Sequence, residues 1–544
     1  MLEKPFYYYE YNVQTGEYDR YITESRVNKI RDDYRKWTTS LVNLRASYRT
    51  TIGQNHNLGV MLGAEQQKGT YNALWASRIN NVSAAVPQID VGSRNADDKD
   101  NGGTGAESAY VNYLGRLNYD FKSKYLFEFV FRYDGSSIFP KDNRFGFFPA
   151  VSAGWRLSEE NFISGNLPFV NELKLRASYG ELGNDRVPGY QFLQAFEFGN
   201  AVLGGNGVPA ILPSTLPNPN ITWEVSKKLD IGLAAELWDG LLGVDLTYFR
   251  QNRSNILWPR NLSISRVLGF PALPHENIGK VNNHGFELVL SHRNQVGDLV
   301  YSVSANTTFA RSEIINMDEV PPTESYQAAT GHPVGSDLYY KSDGIFNTQE
   351  EFDSYPHGNG AQVGDIKVVD LNGDNQINGD DRYRTNKSPI PEYIFGLTAD
   401  FQYKGFDLTL FFQGQTGATS YDGVLTEFGQ EDLDNNVVYR ATNRWTINNQ
   451  EGATMPRADA WQPGTTDFFL SDATFIRLKN LELGYSFRNM LSKGKILDDV
   501  RLFVSGTNLG TWAKEIKWRD PELRGAFTEY PPLRIINFGV DVKF

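Results

Sequence analysis

Strict alternation of apolar and polar residues, repeated along nearly the whole chain, is the feature that most narrows what this sequence can fold into. In Tyr125–Tyr133 the side chains of Tyr125, Phe127, Phe129, Phe131 and Tyr133 share one face, while Glu128 and Arg132 lie on the other. Val244, Leu246 and Tyr248 alternate with Asp245 and Thr247, and Phe406, Leu408, Leu410 and Phe412 repeat the pattern. Near the end, Ile536, Phe538, Val540, Val542 and Phe544 form one stripe, and Asn537, Gly539, Asp541 and Lys543 the other. A period of two belongs to an extended strand, whose successive side chains point to opposite faces. Read this way, the sequence predicts strands near 41–52, 55–66, 108–120, 124–133, 147–157, 171–180, 222–237, 240–251, 282–293, 297–311, 391–403, 406–415, 473–485, 500–509 and 532–543. One more is expected within the tyrosine-rich segment 5–30. That makes about 15–16 strands of roughly ten residues, the length a tilted membrane strand needs.

The connections carry independent information. Tight turns are expected at Lys122-Ser123, Trp238-Asp239-Gly240, Asn294–Gly297 and Lys404-Gly405. Long polar segments are expected near 67–107, 181–221, 252–281, 312–390, 416–472 and 510–531. Short and long connections therefore alternate, as they do when one rim of a barrel faces the periplasm and the other faces outside. Segments 158–170 and 486–499 fall on the short side and read as small helical plugs, and the C-terminus falls at the periplasmic rim. A soluble sandwich or propeller would have shorter strands and would not keep its long connections to one side. Trp155 and Trp238, at strand ends, suit an interfacial girdle. The predicted fold is all-β, a transmembrane antiparallel β-barrel.

Composition agrees with that fold. The mean hydropathy is only −0.45, as expected when every second strand residue faces a polar lumen. No apolar run approaches the ~20 residues of a membrane helix. A net charge of −12 argues against nucleic acid as a partner, because phosphate binding needs a basic surface. With no cysteine, disulfides, thiol nucleophiles and thiolate metal sites are excluded. The first residues, Met1–Tyr7, lack a basic region followed by an apolar one. An outer-membrane protein is made with such a signal, so the chain is expected to be incomplete at its N-terminus.

Several segments resemble one family in order and spacing. They include Tyr113–Asp120, Arg132–Ser137, Phe148–Arg156, Leu173–Gly180, Asn218–Glu224, Asn283–Leu288, Tyr403–Leu408 and Arg477–Tyr485. These resemble SusC/RagA-type, TonB-dependent transporters of the outer membrane. The resemblance implies a plug domain followed by a 22-stranded barrel, of which this chain would be the C-terminal part, 1–544, without the plug and the first strands. It further implies import of oligosaccharides, glycans or peptides in Bacteroidetes-type bacteria. TonB would engage the missing N-terminal part, and a SusD-like surface lipoprotein would cap the mouth. The alternative role is an outer-membrane scaffold that holds surface lipoproteins without transport. The terminal Phe544 resembles the signal read by outer-membrane insertion machinery.

Candidate sites follow from residue chemistry. The loop Asp370–Asp381 has EF-hand spacing, with Asp370, Asn372, Asp374, Gln376 (through its carbonyl), Asn378 and Asp381 at the ligand positions. Asn375 replaces the usual Gly, Asp381 replaces the usual Glu, and no helices flank the loop. Structural Ca²⁺ and an Asx-rich turn that binds nothing are both open. Trp258, Tyr339, Tyr340, Phe346, Tyr421 and Trp461, in long loops, are candidates to stack on sugar rings; the alternative for each is packing between loops or against a lid protein. Catalysis has little support. The six histidines are scattered without ligand spacing, and lumen carboxylates are ordinary barrel composition.

Overall fold

The computed structural model describes residues 7–12, 17–22, 29–80, 86, 88–260, 274–319, 321–421, 443–457, 464–487, 499–517, 519–523, 530 and 532–543. Fifteen antiparallel strands form one sheet in sequential order: β1 (Lys29–Ile52), β2 (His56–Ile79), β3 (Lys99–Phe121), β4 (Tyr125–Ser136), β5 (Phe145–Arg156), β6 (Val170–Asn184), β7 (Glu224–Leu237) and β8 (Leu242–Pro259), then β9 (His275–Val296), β10 (Leu299–Asn316), β11 (Tyr393–Tyr403), β12 (Phe406–Thr416), β13 (Phe475–Ser486), β14 (Asp499–Ala513) and β15 (Ile535–Lys543). Each strand is bonded to its neighbours in the chain, which is the meander that alternating short and long connections predict. Two compact units divide the chain: 1–48 with 61–115 and 132–147, and 49–60 with 116–131 and 148–544. In the first, Trp37 lies against Tyr71 at 5.2 Å, Arg31 sits 4.1 Å over the Trp75 ring, and Glu65 accepts hydrogen bonds from Asn43 and Asn112.

In the second unit the predicted faces are the observed ones. Leu246 and Tyr248 are exposed on one side of β8, while Asp245 and Thr247 on the other accept hydrogen bonds from Arg176. Ile536, Phe538, Val540 and Val542 are all exposed, and Asp541 faces the opposite way to meet Arg501 at 3.3 Å. The turns obey backbone sterics. Lys122 and Ser123 have φ of 54° and 53°, and Lys404 and Gly405 46° and 90°. Two successive positive φ values match the right-handed twist of the flanking strands. Where a four-residue turn was expected at 294–297, pairing continues to Val296↔Leu299, and Gly297 and Asp298 alone make the turn.

Three boundaries differ from the sequence reading. Most of the polar segment 67–107 is strand, because β2 runs to Ile79 and β3 starts at Lys99. Beyond the membrane a strand need not alternate; backbone bonding suffices, and Gly103 brings β3 so close that a Cβ there would sit 2.9 Å from the Ala73 carbonyl oxygen. In segment 5–30, Tyr7–Asn12 pairs with Glu17–Ile22 in a separate two-stranded ribbon and not in the large sheet. The segment 181–221 carries a further hairpin, Ala195–Leu203 with Asn206–Thr215. Residues 157–164 form the short helical turns expected at the periplasmic rim, while 488–498 lie outside the described residues. Aromatic rings gather at that rim: Tyr125 with Trp155 at 6.2 Å, Phe169 with Trp238 at 5.5 Å and Phe406 with Tyr485 at 4.5 Å. Glu160 accepts hydrogen bonds from Tyr125 and Trp155, which hold its carboxyl below the usual range.

Candidate functional site: the lumen wall and the loops at its mouth

The polar row of the wall is crossed by arginines lying flat over glycines. Arg176 on β6 passes over Gly232 of β7, where a Cβ would come within 2.6 Å of its Nε, and reaches Asp245 and Thr247 on β8. Arg501 on β14 passes over Gly484 of β13 in the same way and donates to Asp407 on β12, with Glu482 on β13 also accepting. Each clasp joins three or more strands through charge-assisted bonds, and only glycine leaves room for it. Further along β13, a bulge at Lys479 turns its ammonium to Gln413, 2.7 Å away. Arg477, almost fully buried, donates to Asp520 and Glu522 of the last long connection, drawing it against the wall. A cavity of about 830 Å³ lies on this side, with Arg49, Asp120, Glu128, Lys174, Arg176 and Asp230 among the residues that line it. Such a surface can exchange hydrogen bonds with a hydrated solute without committing to one charge.

At the opposite rim the described parts of the connections 317–392 and 417–474 fold together. Three ribbons carry them: Leu338–Tyr340 with Arg382–Arg384, Ser342–Ile345 with Ile366–Val368, and Thr419–Tyr421 with Leu470–Asp472. Ile366 and Phe469 are the buried core, with Tyr421 and Phe468 packed on it. Two carboxylates tie the connections to each other. Asp467 accepts from the Ser342 amide and hydroxyl at 2.7 and 2.6 Å and from the Tyr383 hydroxyl at 2.8 Å. Asp365, fully buried, accepts from Arg457 at 2.6 Å. Burial pushes Tyr383 well above the usual phenol range, and its bond to Asp467 adds to this.

The candidate residues of this rim find different surroundings. Tyr339, Tyr340 and Phe346 are buried and present no free ring face; Phe346 instead packs edge-on against Phe352 and Tyr355. In this structure these three rings pack within and between loops. Burial lifts the Tyr339 phenol to about 12. Tyr421 is half-buried, 5.7 Å from Tyr339, and Trp258 is half-buried on β8 opposite Glu276. Trp461 and Phe544 lie outside the described residues. In the 370–381 loop, Asp370 accepts from the Gly373 and Asn375 amides, Asp374 from Gln376, and Asn378 from Asp380. Positive φ at Gly373 and Asn375 makes that coil possible. Asp381 is wholly buried, with one oxygen on the Leu371 amide and the other on Asn378. Among the described residues no three His, Asp or Glu side chains are gathered as a ready metal cage. The clasp arginines, Asp365 and Asp467 were missed by sequence reasoning. Glycine within a strand opposite an arginine is the one available signal for the clasps.

An alternating sheet with apolar residues outside, clasped charges within, short turns ringed by aromatics and folded loops at the far rim defines a membrane β-barrel. The comparisons narrow this to a family. Residues 4–509 match the family model described as TonB dependent receptor-like, beta-barrel, and the chain belongs to that family of outer-membrane barrels. Among curated relatives it is 29% identical to the TonB-dependent receptor P3 of Formosa agariphila over 94% of this chain and 53% of that protein. It is 27% identical to the TonB-dependent receptor SusC of Bacteroides thetaiotaomicron over 92% of this chain and 50% of that protein. It thus spans about half the length of the curated relatives it matches. The solved RagAB peptide transporter shares the fold, with a TM-score of 0.80 and 23% identity over 94% of this chain and 56% of that one.

Proposed function

We propose that this chain forms wall and mouth of a TonB-driven importer that carries oligosaccharides or peptides across the outer membrane. Family membership supports the class, and the polar, clasped inner row carries the reading: a mixed-charge surface suits neutral or zwitterionic hydrated solutes. SusC and the RagAB peptide transporter are similar proteins. Strands outside this chain would complete the barrel beside β1 and β15, which stand at the two ends of the sheet order. The partner is a SusD-like surface lipoprotein. The hairpin 195–215 supports it, since register puts Phe196, Phe198, Val202, Pro209, Ile211 and Pro213 on one face, with Phe198 91% exposed. An apolar patch of that kind at a mouth calls for a covering protein.

The test is uptake of fluorescently labelled oligosaccharide and peptide pools by cells with and without the gene, and with and without TonB. Loss of one pool in both deletions is expected. Unchanged uptake of every pool, with surface lipoproteins displaced, would establish the scaffold role instead. Phe198→Asp with Val202→Asp is expected to abolish co-purification of the lipoprotein while the barrel still folds. We also propose Ca²⁺ as a structural staple of loop 370–381. Asp370, Asn372 and Asp374 retain lone pairs beyond the amide bonds they accept. Chelation is then expected to raise protease sensitivity of 317–392, and calcium to restore it; unchanged cleavage would leave the Asx-turn reading.

A further inference from the structure

The hairpin of β1 and β2 continues well past the membrane. On the outward row of β2, Leu58, Val60, Leu62 and Ala64 give way to Gln66, Lys68, Thr70 and Asn72, and Lys68 pairs there with Glu107 at 3.7 Å. From His56, where the strand begins, to Tyr71 the rise is about 40 Å at ~3.4 Å per residue and a tilt near 40°, so this part clears an apolar band ~25 Å tall. The opposite row, which carries Glu65 lower down, turns aromatic at this height, with Tyr71 and Trp75 on β2 and Trp37 on β1. The rings have different surroundings. Trp75 lies across Gly102 of β3, where a Cβ would come within 2.8 Å of its Nε1, and the Arg31 guanidinium sits 4.1 Å over the same ring. That guanidinium is forked onto Asp33, with both bonds at 2.9 Å. Arg35 approaches the same carboxylate at 3.9 Å and stays exposed. A stacked ring and a bidentate ion pair, carried on strands, thus hold Asp33 in place. Trp37 and Tyr71 are 5.2 Å apart and tilted by 32°, and Trp37 keeps 66% of its surface exposed. Small residues surround them on this row, Gly69 and Ala73 on β2 and Thr104, Ala106 and Ser108 on β3, with Gly69 against Ser108. The rings stand above a low floor.

We propose that Trp37 and Tyr71 form a stacking platform for a pyranose ring of a neutral oligosaccharide, with Asp33 and Arg35 bonding its hydroxyls. The proposal rests on the import reading and names the oligosaccharide, not the peptide, as the solute taken up. A pyranose has a face of C–H groups and a rim of hydroxyls. The face packs on an aromatic ring, and the rim needs fixed acceptors and donors beside that ring. Asp33 is already countered by Arg31, so the polar edge does not demand a charged ligand. An extended peptide would instead seek free backbone groups, and those of β2 are bonded to β1 on one side and β3 on the other.

The protein extracted in detergent from its own outer membrane is applied to an array of neutral gluco-, xylo- and manno-oligosaccharides. Cells carrying it are fed labelled pools of the same oligosaccharides and of peptides. Trp37→Ala is expected to lower apparent affinity on the array by roughly tenfold, with Tyr71→Ala close behind. Trp37→Phe, which keeps a ring, should restore most of it, and Tyr34→Ala, exposed on the opposite row, should change nothing. Heat-modifiable mobility in electrophoresis reports that each variant is folded. In cells, Trp37→Ala should raise the half-saturating concentration for the oligosaccharide pool and leave peptide uptake alone. Array binding that survives Trp37→Ala combined with Tyr71→Ala, or no array binding by the folded wild-type protein, would overturn the platform. So would an equal loss of peptide uptake. Ring-dependent array binding in a protein whose cells import neither pool would keep the platform and sink the import reading instead.

Discussion

The wall and the mouth loops are built from opposite materials. In the wall, neighbours in sequence are neighbours in space: every strand of the sheet bonds to the strands before and after it. Apolar groups point to lipid, and the arginine clasps lie on the other side, where they pair with carboxylates. In the mouth, apolar groups point inward around Ile366 and Phe469, and the ties join residues as far apart as Ser342 and Asp467. The first region is a membrane solution to burial and the second a miniature globular one. A charge does different work in each. Arg501 spans exposed strands whose backbone is already paired, while Arg457 neutralises a fully buried carboxylate.

That contrast can be pressed by substitution. The largest effect is expected from Arg457→Ala, which leaves fully buried Asp365 without its guanidinium, a change worth ~3–5 kcal/mol. Limited proteolysis should then cut within 317–392, while heat-modifiable mobility of the barrel stays as it was. Loss of both together would show that the mouth and the wall fold as one. On the wall, Val540→Arg places a cation in lipid and should cost ~2–4 kcal/mol near mid-bilayer. Asn537→Ser, one strand face away, should be mild; urea unfolding in vesicles compares them, and the reverse ranking would invert the facing of β15.

A smaller cost, about 1–3 kcal/mol of overpacking, is expected of Gly484→Ala, because the new methyl enters the space of the Arg501 and Asp407 side chains. The same change at Gly204, a turn glycine with nothing near its Cβ direction but a φ of 58°, tests backbone strain without the clasp. The smallest effect is pH-dependent. The Lys367 ammonium, 2.7 Å from Glu351, holds that carboxyl below its usual 4.5, with burial opposing. A depressed carboxylate contributes its stability above the ordinary pKa and loses it as pH falls through the folded value. Protease sensitivity of the mouth should therefore rise on acidification below pH 4.5, and Glu351→Gln should flatten that part of the profile.

All fifteen strands of the sheet were legible from the sequence because a period of two is a local property. A residue knows its face from its own neighbours, and lipid on one side rewards the same choice in every strand. The C-terminal stripe Ile536, Phe538, Val540 and Val542 shows this most clearly, all four exposed opposite Asp541. Turn positions were legible for a similar reason, since Lys404-Gly405 carries its backbone demand in its own residues. What the tertiary structure alone decided is where local chemistry is outvoted. Tyr339, Tyr340 and Phe346 looked like stacking platforms because aromatic rings in loops are usually accessible, yet Tyr339 and Tyr340 meet Tyr421 and Thr465 of a second connection, and Phe346 is covered by Phe352 and Tyr355 of its own. Arg176, Asp245 and Gly232 look unremarkable one by one, and become a clasp only when register sets them side by side. Sequence determines which way each residue faces; which distant residue it then meets depends on strand register and loop closure, and those are settled only by the packed whole.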